Sequence, residues 1–186
     1  LRGLALRSAA AQDLNRVLRS GEISPVVRNE LDNELARHDD PLWMVKIMKT
    51  ERAYNLDASG DLFSYFPMTW QGKLVQVDTL DMYEDLLAVL AKPRYESRGE
   101  LQAVFERSYS TPISEALVHL FEPSLQAARD SFDRTVAEMR CLRILNAVQT
   151  LEQRMTDDSV SISLEDLALP ESATIDPYSG DPLKLR

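Results

Sequence analysis

Reactive side chains are scarce in this chain: 186 residues hold one cysteine, Cys141, and two histidines, His38 and His119. A single cysteine can close no internal disulfide and build no cysteine-rich zinc site. Two histidines in separate segments fall short of the three or four convergent ligands that zinc takes. There is no Gly-rich phosphate loop, no Gly-x-Ser-x-Gly elbow and no His-Glu-x-x-His. No run approaches the roughly 20 apolar residues of a membrane span, and no signal peptide is visible. Basic residues are outnumbered, 21 against 30 acidic, for a formal charge of −9. Nucleic acid and anionic membrane are therefore not expected as partners of this fragment, because phosphate contacts need clustered Lys and Arg. The acidity reads as solubility. No cofactor or metal is called for, and the balance leans away from an enzyme.

What is present favours helix. Glycine is low, at six residues, and leucine and alanine are frequent. The stretch from Pro123 to Met155 carries apolar residues at Leu125, Ala128, Phe132, Val136, Met139, Leu142, Leu145, Val148 and Leu151. Steps of three or four predict one helix, on the order of 50 Å long, starting at Pro123.

Upstream, residues 1–20 predict an amphipathic helix facing inward through Leu4, Ala11, Leu14, Val17 and Leu18, stopped at Gly21. Ser24-Pro25 caps a second helix running to about His38, with Val27, Leu31 and Leu35 buried. His38-Asp39-Asp40-Pro41 is a break, and an aspartate cap restarts a helix over 41–59. The segment from Ser59 to Thr79 reads as an irregular connection rich in aromatics. Its LVQV run is compatible with a short strand that lacks a partner. Asp78-Thr79 caps the next helix, which buries Leu80, Tyr83, Leu87 and Leu90 and stops at Pro93. A helix weakened by Gly99 follows over 95–109, then a short one over 112–122, with Pro123 as a junction. Beyond Met155, residues 156–163 read as a polar linker, SLEDLALP as one turn capped by Ser163, and the Asp-Pro steps of the tail as turns. One helical domain over 1–155 thus carries a linker and a surface-draped tail over 156–186.

Candidate chemistry is thin. His38, Asp39 and Asp40 suggest a metal or acid–base site, but a solvated helix end explains them more simply. Cys141, between Arg140 and Arg143, could be an activated thiol, yet mid-helix beside an apolar stripe it reads better as a small filler. Asp157, Asp158, Asp176 and Asp181 match no calcium-loop spacing and read as turn formers. Met44, Met48 and Trp43 read as core rather than as a peptide groove. The residues singled out as a partner or ligand surface are Glu51, Arg52, Phe63, Tyr65, Phe66 and Trp70. Aromatics of this kind more often seal a helical core.

The tail ALPESATIDPYSGDPLKLR resembles the C-terminal pattern Leu-Pro … Asp-Pro-aromatic-small-Gly-x-Pro-Leu of a set of helical proteins from planctomycete-type bacteria. Glu51, Arg52 and Ala53 resemble that set's Gly-Glu-Arg-Ala helix, with Thr50 where glycine is usual. The segment after the long helix departs from the set's Tyr-Arg … Gly-x-Tyr-Pro, showing Leu151-Glu152-Gln153 and TDDSVSIS instead. The tail is also similar to the end of type II secretion pseudopilins, whose apolar N-terminal helix is missing here. The resemblance implies an envelope-anchored bacterial protein with a membrane segment upstream of Leu1, and no assigned activity. Residues and resemblance together lead us to expect an all-α, irregular bundle of about six or seven helices. It would serve as a noncatalytic interaction or structural domain with a protein partner. The alternative is a small-ligand-binding protein or enzyme with a pocket between helices.

Overall fold

The computed structural model describes residues 2–20, 23–40, 42–64, 70–155 and 162–185, with side chains described throughout these except at 2–6, 8, 55–56 and 58–64. The fold is an all-α multi-helix bundle, as the periodicity predicts. In chain order the elements are α1 (Arg2–Ser20), α2 (Pro25–His38), α3 (Trp43–Ser64), α4 (Trp70–Leu90), α5 (Glu100–Glu106), α6 (Pro112–Glu152), a 3-10 turn (Leu164–Leu167) and α7 (Glu171–Thr174). Two compact units are built from them: residues 1–40 with 130–186, and residues 41–129.

In the first unit, Ala11 and Leu18 of α1, Leu35 of α2 and Met139 and Leu142 of α6 form one buried cluster, flanked by Leu14, Ile23, Leu31 and Leu145. Each leucine so buried contributes about 1.5–3 kcal/mol. Ser24 caps α2 as expected, its Oγ accepting from the Val27 N–H at 3.4 Å. Beside the cluster, α2 and α6 meet along a polar seam. Arg140 Nε donates to Asp39 Oδ1 at 3.0 Å, and Arg143 forks onto Asp32 at 3.0 and 3.3 Å. Asn146 Nδ2 donates to the Arg28 carbonyl at 3.0 Å. Rising numbers on α6 meet falling numbers on α2, so the two run antiparallel.

The tail is folded onto this unit. Asp176 Oδ1 accepts from the Tyr178 N–H at 3.0 Å and Oδ2 from Ser179 Oγ at 3.1 Å, an aspartate-nucleated turn. Gly180 takes a left-handed φ of 79°, and an isolated antiparallel bridge joins Ile175 to Pro182. Arg140 Nη1 holds the Ile175 carbonyl at 2.7 Å, and the Tyr178 hydroxyl donates to the Asp130 carbonyl at 3.1 Å. The SLEDLALP turn forms as read: the Ser163 N–H and Oγ both reach Asp166 Oδ2, at 2.8 and 2.7 Å.

In the second unit α4 is buried along most of its length, through Val75, Asp78, Met82, Tyr83, Leu86, Leu87, Val89 and Leu90. Met44 and Met48 are core, as expected. Arg129 donates to the carbonyls of Leu90 (3.3 Å) and Lys92 (3.0 Å), satisfying the exposed end of α4 where its dipole is negative. Thr111 caps α6, its Oγ1 accepting from the Ser114 N–H at 3.1 Å.

Several expectations are corrected. Pro123 lies inside α6 and starts nothing: the short helix over 112–122 and the long one are a single helix of 41 residues ending at Glu152. An interior proline loses one hydrogen bond and strains the preceding turn, but a helix with buried residues on both sides of it outlasts that defect. The segment 59–79 is mostly helical, LVQV included, because α3 runs to Ser64 and α4 begins at Trp70. Asp78 is therefore not a cap but a buried residue within α4, 6% exposed. It accepts from the Ser110 N–H at 2.9 Å and Ser110 Oγ at 2.7 Å. Gly99, with φ 82°, precedes a short α5 and does not merely weaken a longer one. Asp39 ends α2, its N–H reaching Leu35 O and Ala36 O, while its side chain serves Arg140. Val17, Val27 and Leu42 are exposed, and Leu185 is not covered. Tyr65, Phe66, Asp157 and Asp158, with the stop at Gly21, lie outside the described residues.

Burial alone would push the Asp78 carboxyl up. Hydrogen bonds from Ser114 and Ser110 and the charge of Arg107 outweigh burial and hold it below the ordinary aspartate range. A depressed folded pKa stabilises the fold above the unfolded value, about 4, and that contribution disappears as pH falls through the folded value. Asp78→Ala also orphans the Ser110 N–H, so urea unfolding at pH 7 should show a loss of about 1–3 kcal/mol. The gap to the parent should narrow as pH drops below 4; a gap that is constant with pH would show that the carboxylate charge plays no part.

Candidate functional site

The residues marked by sequence do not assemble into a described site. Glu51 and Arg52 are consecutive on α3, so their side chains diverge. Glu51 is exposed, and Arg52 pairs with Glu84 of α4 at 2.5 Å, leaving both open to solvent screening. Phe63 is in α3 without a described side chain, and Tyr65 and Phe66 are outside the described residues. Trp70, the first residue of α4, is 69% exposed and so is not a core plug. His38 Nδ1 accepts from Arg7 Nη2 of α1 at 2.6 Å while its Nε2 lies 3.4 Å from Glu34, and His119 Nδ1 lies 3.4 Å from Glu122 of its own helix. Among the described residues no group of three His, Cys, Asp or Glu converges as a metal site would require. No helix of the described residues is long and apolar enough to cross a membrane.

A surface the sequence reading missed lies on the first half of α6. Ile113, Leu117, Leu120 and Phe121 are all exposed, Leu120 by 70%. Their spacing of four, three and one places them on one helical face. Ala116, Ser124 and Ala127 share that face and are exposed too, whereas Ser114, Val118 and Arg129, all buried, occupy another. Glu115, His119 and Glu122 project elsewhere around the helix. The face therefore carries no charge. Single exposed leucines are ordinary, but four large apolar residues in register are not. The signal was in the sequence: α6 repeats apolar residues over 112–122 on two faces, and one helix can bury only what its neighbours cover.

The first unit also holds an open groove of about 480 Å3 lined by Ala11, Leu142, Leu145, Cys141, Arg134 and Tyr178, among others. Cys141 is exposed, not the small buried or half-buried filler that was expected. Its flanking arginines do not activate it, because both are turned toward α2, Arg140 to Asp39 and Arg143 to Asp32. The atoms crowding the sulfur, followed by Asp176 and Glu138, push the thiol pKa up. Compared with family models, curated proteins and solved structures, the chain matches none.

Since thiolate is the reacting form, Cys141 should alkylate with iodoacetamide more slowly at pH 8 than an unhindered cysteine. Its rate should still be climbing at a pH where an ordinary thiol has levelled off. A rate matching free cysteine, or exceeding it, would restore the activated thiol.

Proposed function

We propose that this chain is a noncatalytic interaction domain, and that the uncharged face of α6 at Ile113, Leu117, Leu120 and Phe121 receives an amphipathic helix of a partner protein. The observation that carries the reading is the exposure of these four residues at helical spacing. A helix laid along such a face buries them and matches their register with its own apolar residues. A lipid surface fits less well, since interfacial helices flank their apolar face with Lys and Arg. Here the charged neighbours on α6 are Glu115 and Glu122, in a chain of formal charge −9. Trp70 is the one described member of the aromatic segment free to join a docking surface. The domain is taken to belong to an envelope-anchored bacterial protein, for which the resemblance of the tail to the planctomycete-type set is the support. A second reading, a small-ligand-binding protein, is favoured by the groove of about 480 Å3, a size that accepts small molecules.

A photo-crosslinking residue at Leu120, compared with one at Glu115 in the same helix, tests the docking face in the native host. A discrete adduct with a different protein at Leu120, absent at Glu115 and abolished by Ile113→Asp, is expected. Equal labelling at both positions, no adduct, or an adduct of two copies of this chain would overturn it. Leu120→Asp should leave stability within about 0.5 kcal/mol, because this residue is already 70% exposed.

A further inference from the structure

Along the α2–α6 seam of the first unit the charges do not balance. Three guanidinium groups lie there, Arg28, Arg140 and Arg143, against two carboxylates, Asp32 and Asp39. Asp39 is shared by Arg140 and Arg143, and Asp32 is forked by Arg143. Arg28, only 2% exposed, has no ion pair among the described residues and hydrogen-bonds to neutral amides. Its Nη1 donates to Asn146 Oδ1 at 3.1 Å and Gln149 Oε1 at 3.0 Å, while its buried Nε donates to nothing. Among the described residues its Nη2 has no acceptor either. A buried cation without a counter-charge is costly, and amide oxygens offset only part of that cost.

Arg28 lines a cavity of about 220 Å3 in this unit, together with Asp32, Asn146, Thr150, Arg154 and Asp166. Arg154 is exposed and has no ion pair among the described residues, so a second cation is uncommitted at the same cavity. The two carboxylates there are already engaged: Asp32 by Arg143, and Asp166 by the Ser163 N–H and hydroxyl. The cavity is open to solvent on one side and has room for a small anion.

We infer that this cavity binds a small oxyanion of the carboxylate or phosphate class through Arg28 and Arg154. The Nε–Nη2 edge of a guanidinium is the side that carboxylate and phosphate oxygens meet two at a time. On Arg28 that edge is the one the protein leaves unpaired. The bound anion restores the charge balance of the seam, and the exposed Arg154 adds a second contact. The inference stands apart from the docking face of α6, which lies in the other compact unit.

Inorganic phosphate and succinate, titrated separately into the full chain by calorimetry and followed by the arginine Nε–H signals in NMR, distinguish the two sources of oxyanion. Saturable millimolar or tighter binding of one of them, a shift of the Arg28 Nε–H signal and a raised unfolding temperature are expected. Arg28→Met should weaken binding at least tenfold. Should that variant fold poorly, Arg154→Gln, at an exposed position, should still weaken binding several-fold. No saturable binding of either anion, or binding unaltered in Arg154→Gln with an unmoved Arg28 signal, would overturn the site.

Discussion

The buried polar seam between α2 and α6 is the constraint on which the first unit depends. Apolar packing of Leu18, Leu35 and Leu142 would tolerate a helix sliding or rotating by several degrees, because contact between hydrocarbons has no direction. Arg143 forked onto Asp32, and Arg140 on Asp39, do not. Both pairs are largely withdrawn from water, so a helix shifted by one turn would strand charges at a cost of about 3–5 kcal/mol each. Arg140 extends the constraint further by holding the Ile175 carbonyl, which ties the tail to the same register. The desolvation of Asp39 outweighs the two arginines beside it, and its carboxyl pKa stays raised. Its ionised form therefore opposes folding and its protonated form favours it, the reverse of Asp78. The seam gives the unit a single register at some expense in stability.

The second unit solves a related problem differently. Its helix α4 buries one face, so a polar group on that face must be satisfied by protein and not by water. Ser110 supplies donors to Asp78, and Arg129 supplies the guanidinium that closes the end of α4. Arg107 pairs with Asp85 and lies 5.1 Å from the centre of the Tyr109 ring, while Tyr109 bonds the Val104 carbonyl at 2.8 Å. These contacts hold the α5–α6 connection against α4 and deliver α6 into the unit with its apolar face outward.

Against this background the two functional readings have a common physical origin. The protein satisfies nearly every described buried polar atom by itself. What it leaves unsatisfied is informative: an apolar row on α6 that no described element covers, and a guanidinium edge on α2 that no described acceptor meets. The first calls for hydrocarbon and the second for an anion.

Much of the helical framework was legible from spacing alone. Phe132, Val136, Met139 and Leu142 are buried as their period requires, as are Tyr83, Leu87 and Leu90 on α4, and Ser24 and Ser163 start the elements they were read to start. These are local facts: a helix repeats every 3.6 residues, and a cap acts within one turn. Pro123 was misread for a related reason, since proline is equally at home at a helix start and only the packing on either side decides that it sits within α6. The buried charges were invisible because their partners lie more than 100 residues away, Arg28 with Asn146 and Arg143 with Asp32. Sequence alone determined that the chain is helical and where most of its core positions lie, because these follow from residue type and period. Only the tertiary structure decided which polar residues are buried and which apolar face stays in water, because burial depends on what other segments bring alongside.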